Sequence, residues 1–266
     1  MTIKKQLYLL YRMIRPIFDP FQIIKSITGY GKYILDIRNY SKMQGAEHIK
    51  IIDLYPCLGE NVATSSFDPH YFYLDIWAAK RIMENKPSFH VDVGSKVDFV
   101  GFLTCFTKVT SIDIRPLETD LDNFESKKGS ILSMPFDDGT VDSLSCLHVA
   151  EHIGLGRYGD PLNTHGTEQA AKELSRVLAV GGNLFFAVPV GKTRLCFNAH
   201  RIHSPNQIIQ YFSNLELVEF SGVDDEGKYR RNIPISELEN CNYACGFFWF
   251  KKLQDFSGRT SKVSNR

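Results

Sequence analysis

Val91-Asp92-Val93-Gly94-Ser95-Lys96 is the stretch on which the reading of this chain turns. A short β-branched run, residues 88–93, stops at a glycine, and apolar residues at helical spacing follow over residues 97–106. Strand, tight turn and helix in that order open a βαβ unit. The alternation continues: residues 108–114 and 141–147 read as strands, and residues 148–153 open a helical turn. Residues 168–178 form an amphipathic helix with Ala171, Leu174, Val177 and Leu178 inward. Gly181-Gly182 reads as its stop, and residues 183–188 are a buried strand. Upstream, residues 70–86 carry the helical stripe Tyr73, Ile76, Trp77, Ala79, Ile82 and Met83. Downstream, Ser204-Pro205-Asn206-Gln207 is a capping box that starts a helix through Phe212. Residues 215–220 and 243–250 are two more strands without a crossover helix, so the last is expected to run antiparallel. The chain is therefore expected to be α/β, a doubly wound, mostly parallel sheet with helices on both faces.

Composition agrees with one large domain plus appendages. The 266 residues are 43% hydrophobic and 23% charged, enough to bury a core without disulfide or metal staples. The six cysteines show no C-x-x-C pair and lie far apart apart from Cys241 and Cys245; Cys105, inside an apolar run, reads as a buried thiol. A reducing, cytoplasmic setting fits them. Net charge is +1, which argues against a dedicated nucleic-acid binder. That charge is uneven, because residues 1–43 hold eight basic and two acidic side chains. Three regions are expected: a basic amphipathic N-terminal extension over residues 1–43, the α/β domain over 44–255, and a polar tail over 256–266. Ile3, Leu7, Leu10 and Ile14 recur at helical spacing beside Arg12 and Arg15, and Pro16 and Pro20 break the pattern. Such a segment suits peripheral contact with an anionic membrane face or a partner, against the plainer reading of a helix packed on the main domain. Arg12 and Arg15 cut its apolar run too short for a signal peptide.

In an open α/β sheet, ligands bind beyond the carboxyl ends of the strands. Gly94 lets the backbone approach a ligand there, with Asp92 beside it. The second strand ends on Asp113, twenty-one residues after Asp92, a spacing suited to ribose hydroxyls. A dinucleotide is disfavoured, since Lys96 stands where a second close-approach glycine would be needed. Further on come Gly129-Ser130-Ile131-Leu132-Ser133-Met134-Pro135-Phe136, then Leu147-His148-Val149-Ala150-Glu151-His152, then Gly181-Gly182 and Leu184-Phe185-Phe186-Ala187-Val188-Pro189.

With these motifs in this order, residues 86–190 resemble the class I S-adenosylmethionine-dependent methyltransferases. The resemblance implies a Rossmann-like, seven-stranded sheet with a last antiparallel strand, and S-adenosylmethionine as cofactor. Carried over by position, it implies that Asp92, Gly94 and Ser95 lie under the methionine part. Asp113 would take the ribose, Ile114 one adenine face, Ser130 and Ile131 the adenine edge, and Leu147 and His148 the far side. Two loops, Gly154–Pro161 and Phe197–His203, resemble a bacterial methyltransferase-like branch linked to surface-polysaccharide genes, which suggests a saccharide or lipid-linked glycan acceptor.

Methylating a sugar hydroxyl needs a group to take its proton. His200 is the first choice, with His203, His165 and Asp160 as the other candidates. Arg157, Arg194 and Arg201 could clamp an anionic acceptor, and Tyr158 could stack on a sugar ring; each could equally tie down its own loop. No metal is assigned. His148-Val149-Ala150-Glu151-His152 does match a zinc-peptidase pattern, which needs the whole run on a regular helix. The other rival is a non-catalytic scaffold keeping the fold in a polysaccharide-assembly complex, with the N-terminal segment as its membrane dock.

Overall fold

The computed structural model describes residues 3–253, so the expected polar tail lies outside the described residues. The chain divides into two compact units, one through Ser66 and the other from Phe67.

The first unit carries α1 (Ile3–Ile14) and α2 (Pro20–Tyr40). Asp19 caps α2, accepting from the N–H groups of Phe21 and Gln22, and Pro20 fills the first helical position. Tyr11 also donates to Asp19, at 3.2 Å, which fixes the elbow between the helices. No residue of α2 is buried, and Leu7, Leu10, Phe21, Ile24 and Ile27 are exposed. No described helix is long and apolar enough to cross a membrane.

The second unit runs α3 (Pro69–Asn85), β1 (Phe89–Val93), α4 (Val97–Leu103), β2 (Lys108–Asp113), β3 (Phe124–Lys128), β4 (Val141–Leu147), α5 (Gly166–Val177) and β5 (Leu178–Val190). It continues with β6 (Arg194–Cys196), β7 (His200–Ile202), α6 (Pro205–Tyr211), β8 (Glu216–Val223), β9 (Tyr229–Arg230), α7 (Ser236–Glu239) and β10 (Ala244–Lys251). The main sheet has the order β3-β2-β1-β4-β5-β10-β8-β9. β1 to β5 are parallel, and β10 is antiparallel to both β5 and β8. The seven-stranded sheet that the resemblance implies is present, with β3 added to the six strands read from the residues, and the two-residue β9 extends the edge beyond them. The expected antiparallel last strand is β10, inserted between β5 and β8.

Period-two alternation divides the core between the two faces. On one face Leu184, Phe186, Val188, Phe248 and Phe250 pack with Ala170, Ala171 and Leu174 of α5, Ile208 of α6 and Leu238 of α7. On the other, Phe185, Ala187 and Phe247 pack with Leu74, Trp77 and Ile82 of α3 and Phe99 and Leu103 of α4. Each fully buried Leu, Ile, Val or Phe among these contributes about 1.5–3 kcal/mol. α3 is also tied to the far side of the sheet: Trp77 and Arg81 both donate to the Glu219 carboxylate of β8, at 2.9 Å each.

Two expectations change. Gly181-Gly182 does not end a helix; α5 stops at Val177, and both glycines sit in an irregular stretch of β5 where the register against β4 shifts. Gly181 takes φ +82° there and pairs with the Lys252 carbonyl, which is a bulge's use of glycine. Cys105 is exposed, because α4 ends at Leu103 and the turn after it faces out; the buried thiols are Cys146 and Cys245.

Candidate functional site

The tip of β1 rests on a buried polar chain. Asp92 is fully buried; it accepts from the Ser145 hydroxyl and, at 3.0 Å, from the Ser95 N–H. Ser145 Oγ lies 2.9 Å from His90 Nε2, and His90 Nδ1 lies 2.7 Å from Ser143 Oγ. Since Ser145 spends its proton on Asp92, His90 must donate from Nε2 and accept at Nδ1. Burial pushes the His90 pKa down to about 3, which keeps the ring neutral. Burial raises Asp92 to about 6 despite its two donors. A buried carboxylate held this way at neutral pH is a standing invitation to a cation.

Gly94 turns the chain at φ +62°, and a Cβ placed on it would come within 3.4 Å of Asp113 Oδ2 and 3.2 Å of Val149. The glycine thus brings the ends of β1, β2 and β4 together around one space. Asp113 points toward Gly94, and its other oxygen accepts from the Arg115 N–H at 2.7 Å. Ile114 is exposed beside it. Ser130 closes a local turn with Leu132 N–H, and Ile131 is buried. The Ser95 hydroxyl accepts from Leu147 N–H, and the Leu147 side chain belongs to the core.

Lys96 does not fill this space. Its ammonium lies 5.5 Å over the Tyr71 ring and 3.7 Å from Asp98. Tyr71 and Asp75, one turn apart on α3, face the strand tips. Asp75 is raised to about 6 by burial, with Lys96, His148 and Asp92 in electrostatic reach, and its Oδ1 is buried without a partner.

Beyond β4 the backbone enters the left-handed region at His148, φ +59°. The turn aims the imidazole sideways, with Nδ1 2.9 Å from Glu151 Oε1 and Nε2 3.0 Å from Cys245 Sγ. Burial disfavours a charge on His148, but the Cys245 sulfur and the Glu151 carboxylate outweigh it and raise its pKa well above the ordinary range. His70, from the first turn of α3, stacks 5.9 Å from His148 and 5.1 Å from Tyr243. Burial, then the neighbouring His148, lowers the His70 pKa to about 4. His200 stacks on Tyr243 at 5.1 Å, and burial lowers its pKa as well.

The structure gathers some expected residues and takes others away. Asp92, Gly94, Ser95, Asp113, His148 and His200 converge at the carboxyl edge. Tyr158 joins them, with the guanidinium groups of Arg115 at 4.5 Å and Arg157 at 5.0 Å from its ring centre and His152 edge-on to it. Asp160 instead holds its own loop, accepting from the N–H groups of Gly154 and Tyr158. Arg201 donates to the carbonyls of Ile153 and Asn163, and Arg157 to that of Ala199. Arg194 is exposed on β6 and His165 is exposed beside Glu168. His203 is buried against Gln207. The zinc-peptidase pattern fails on its own condition: Ala150–His152 is a single 3-10 turn, and the His152 Nδ1 is taken by the Ala199 carbonyl.

Sequence reasoning missed His70, Tyr71, Asp75, Tyr243 and Cys245. The last two had a signal. An antiparallel β10 must start where the parallel strands end, and Cys245 duly pairs with Pro189 at the end of β5.

Strand order, an antiparallel β10 between β5 and β8, and ligand-side strand tips define a doubly wound α/β domain with a Rossmann-like fold. The chain belongs to the family described as "Caenorhabditis protein of unknown function, DUF268", which matches residues 93–242. No curated protein matches it. Among solved structures it is similar to the [4+2]-cyclase SpnF, at 14% identity and TM-score 0.52, covering 73% of this chain and 86% of that one. It is similar to the N-methyltransferase NodS from Bradyrhizobium japonicum WM9, at 13% identity and TM-score 0.50, covering 70% and 98%. A putative sarcosine dimethylglycine methyltransferase from Galdieria sulphuraria gives 13% identity and TM-score 0.50, covering 68% and 86%.

Proposed function

We propose that the protein is an S-adenosylmethionine-dependent methyltransferase acting on an oxygen of a saccharide or a lipid-linked glycan precursor. The observation that carries this reading is the cradle around Gly94, where Asp113 closes one side and buried carboxylates wait underneath. Two acids raised to about 6, one with an orphaned oxygen, fit a ligand that brings both an ammonium and a sulfonium. Asp113 would take the ribose hydroxyls, and Tyr71, beside Lys96 and His148, would border the methionine side. When bound, the cofactor supplies an electrophilic methyl group on a good leaving group.

The chain's own residues must then place and deprotonate the acceptor. Alignment can contribute about 7–11 kcal/mol to the barrier. His200, neutral at physiological pH and held edgewise to His152, can take the hydroxyl proton, a role worth about 10²–10⁴ in rate. Tyr158 is flanked by Arg115 and Arg157, and Tyr243 by His70 and His200, so these side chains rather than bare ring faces meet the acceptor. Helices α1 and α2, basic and apolar at once, suit the inner face of an anionic membrane, where lipid-linked acceptors would be met.

Incubation with labelled S-adenosylmethionine and a panel of nucleotide sugars and lipid-linked saccharides tests the reading. Transfer of one methyl to a glycan oxygen, abolished in His200→Ala, is the expected result. Cofactor binding with no transfer to any glycan would refute the acceptor class. The SpnF likeness shows that this fold also occurs in a [4+2]-cyclase.

A further inference from the structure

We infer that His70, His148 and Cys245 bind one divalent transition-metal ion of the zinc class. Their three donor atoms lie within 4.8 Å of one another. Two imidazoles and a thiol are the donor set that zinc selects and that magnesium and calcium refuse. With bonds of about 2.0–2.3 Å in tetrahedral geometry, an imidazole nitrogen and a sulfur on one zinc stand about 3.5 Å apart. His148 Nε2 and Cys245 Sγ are at 3.0 Å now, so the pair needs to open by only about half an ångström.

The surroundings are those of a metal site. Glu151, 1% exposed, takes the Nδ1 proton of His148 and so leaves Nε2 as the ligand nitrogen, the carboxylate–histidine–metal arrangement. His148 follows β4 and Cys245 is the second residue of β10, the two strands that flank β5 in the sheet. The third ligand comes from the start of α3 and is held in a ring stack with Tyr243. Three protein ligands leave a fourth position, the hallmark of a reactive rather than a structural zinc site. Tyr71 packs 5.0 Å from His148, and Tyr243 lies 5.1 Å from His70 and carries His200 on it, so these side chains neighbour the cluster where a water or a hydroxyl oxygen would complete the shell. A metal-free Cys245–His148–Glu151 nucleophile is the competing use of the same atoms. It does not need His70, and it needs an accessible sulfur, whereas Cys245 is fully buried.

Full-length protein, stripped with a chelator and kept reduced, is titrated with Co²⁺ and then with Zn²⁺, in the absence of any methyl donor. One equivalent of Co²⁺ should give a thiolate charge-transfer band that Zn²⁺ displaces and that Cys245→Ser abolishes. Zn²⁺ affinity should fall at least tenfold in His70→Ala and about 10–100-fold in Glu151→Gln. Circular dichroism checks each variant, and one equivalent of Zn²⁺ that stays with the wild type through gel filtration and raises its melting temperature covers a variant that misfolds. No thiolate band, or equal Zn²⁺ affinity in wild type, Cys245→Ser and His70→Ala, overturns the site. So does wild-type protein that retains no Zn²⁺ through gel filtration. Metal binding is read without methyl transfer, so the two readings fail separately.

Discussion

Replacing Asp92 by asparagine isolates what the protein gives up to keep a carboxylate under Gly94. The side chain is fully buried and its pKa stands at about 6 against 3.8 in the unfolded chain. A raised folded value means the native state binds the proton more tightly, so the group's full stability is present below about pH 4 and is lost as pH rises through about 6. Two pKa units correspond to about 3 kcal/mol lost at neutral pH, with about 1 kcal/mol of that already gone by about pH 4.5. Asparagine is free of this term but turns an N–H against the Ser95 N–H that the carboxylate accepted, which costs about 1 kcal/mol. Asp92→Asn should therefore match the wild type near about pH 4.5 and exceed it by about 2 kcal/mol near about pH 7. Urea unfolding of both proteins at the two pH values measures this. Taking the difference cancels His70 and His90, whose depressed pKa values act in the opposite direction. A difference that does not change with pH would refute the buried ionised carboxylate and, with it, the attraction for a cationic ligand.

Three further outcomes follow from the packing. Glu219→Ala strands Arg81, whose side chain is only 11% exposed, and should cost about 3–5 kcal/mol in urea unfolding; a loss under 1 kcal/mol would mean the tie is idle. Gly154→Ala would set a Cβ 2.2 Å from the Asn163 carbonyl at φ +81°, so the loop through Asp160 should open and proteolysis should cut there first. Vesicles rich in anionic lipid should sediment the protein, and neutralising Arg12 and Arg15 to glutamine should weaken this about 30-fold, at about 1 kcal/mol for each basic residue; binding that ignores both changes would remove the membrane from the account.

The fold was legible where burial writes a period into the chain. Phe185, Phe186 and Ala187 alternate between two cores, and α5 shows its inward stripe without ambiguity. β3 went unread because it is an edge strand, Phe124-Glu125-Ser126-Lys127-Lys128, whose lysines guard an open edge rather than fill a core. On α3 two overlapping stripes competed, and Leu74 and Ala78 won the interior while Ile76 and Met83 face out. Asp92, Gly94 and Asp113 were legible because strand ends and turn chemistry are local. Cys245 was implied by the expected reversal of β10 but not drawn from it. Asp75 was not legible, because it reaches the site only through the packing of α3. Arginines misled for the same reason: Arg201 is spent on two carbonyls that no sequence pattern reveals.

Calorimetric titration of the full chain with S-adenosylmethionine is the most direct measurement of the central claim. Saturable one-site binding, weakened at least tenfold in Asp113→Ala with the melting temperature unchanged, is the predicted result. No heat up to about millimolar cofactor, or equal binding by the variant, would contradict it.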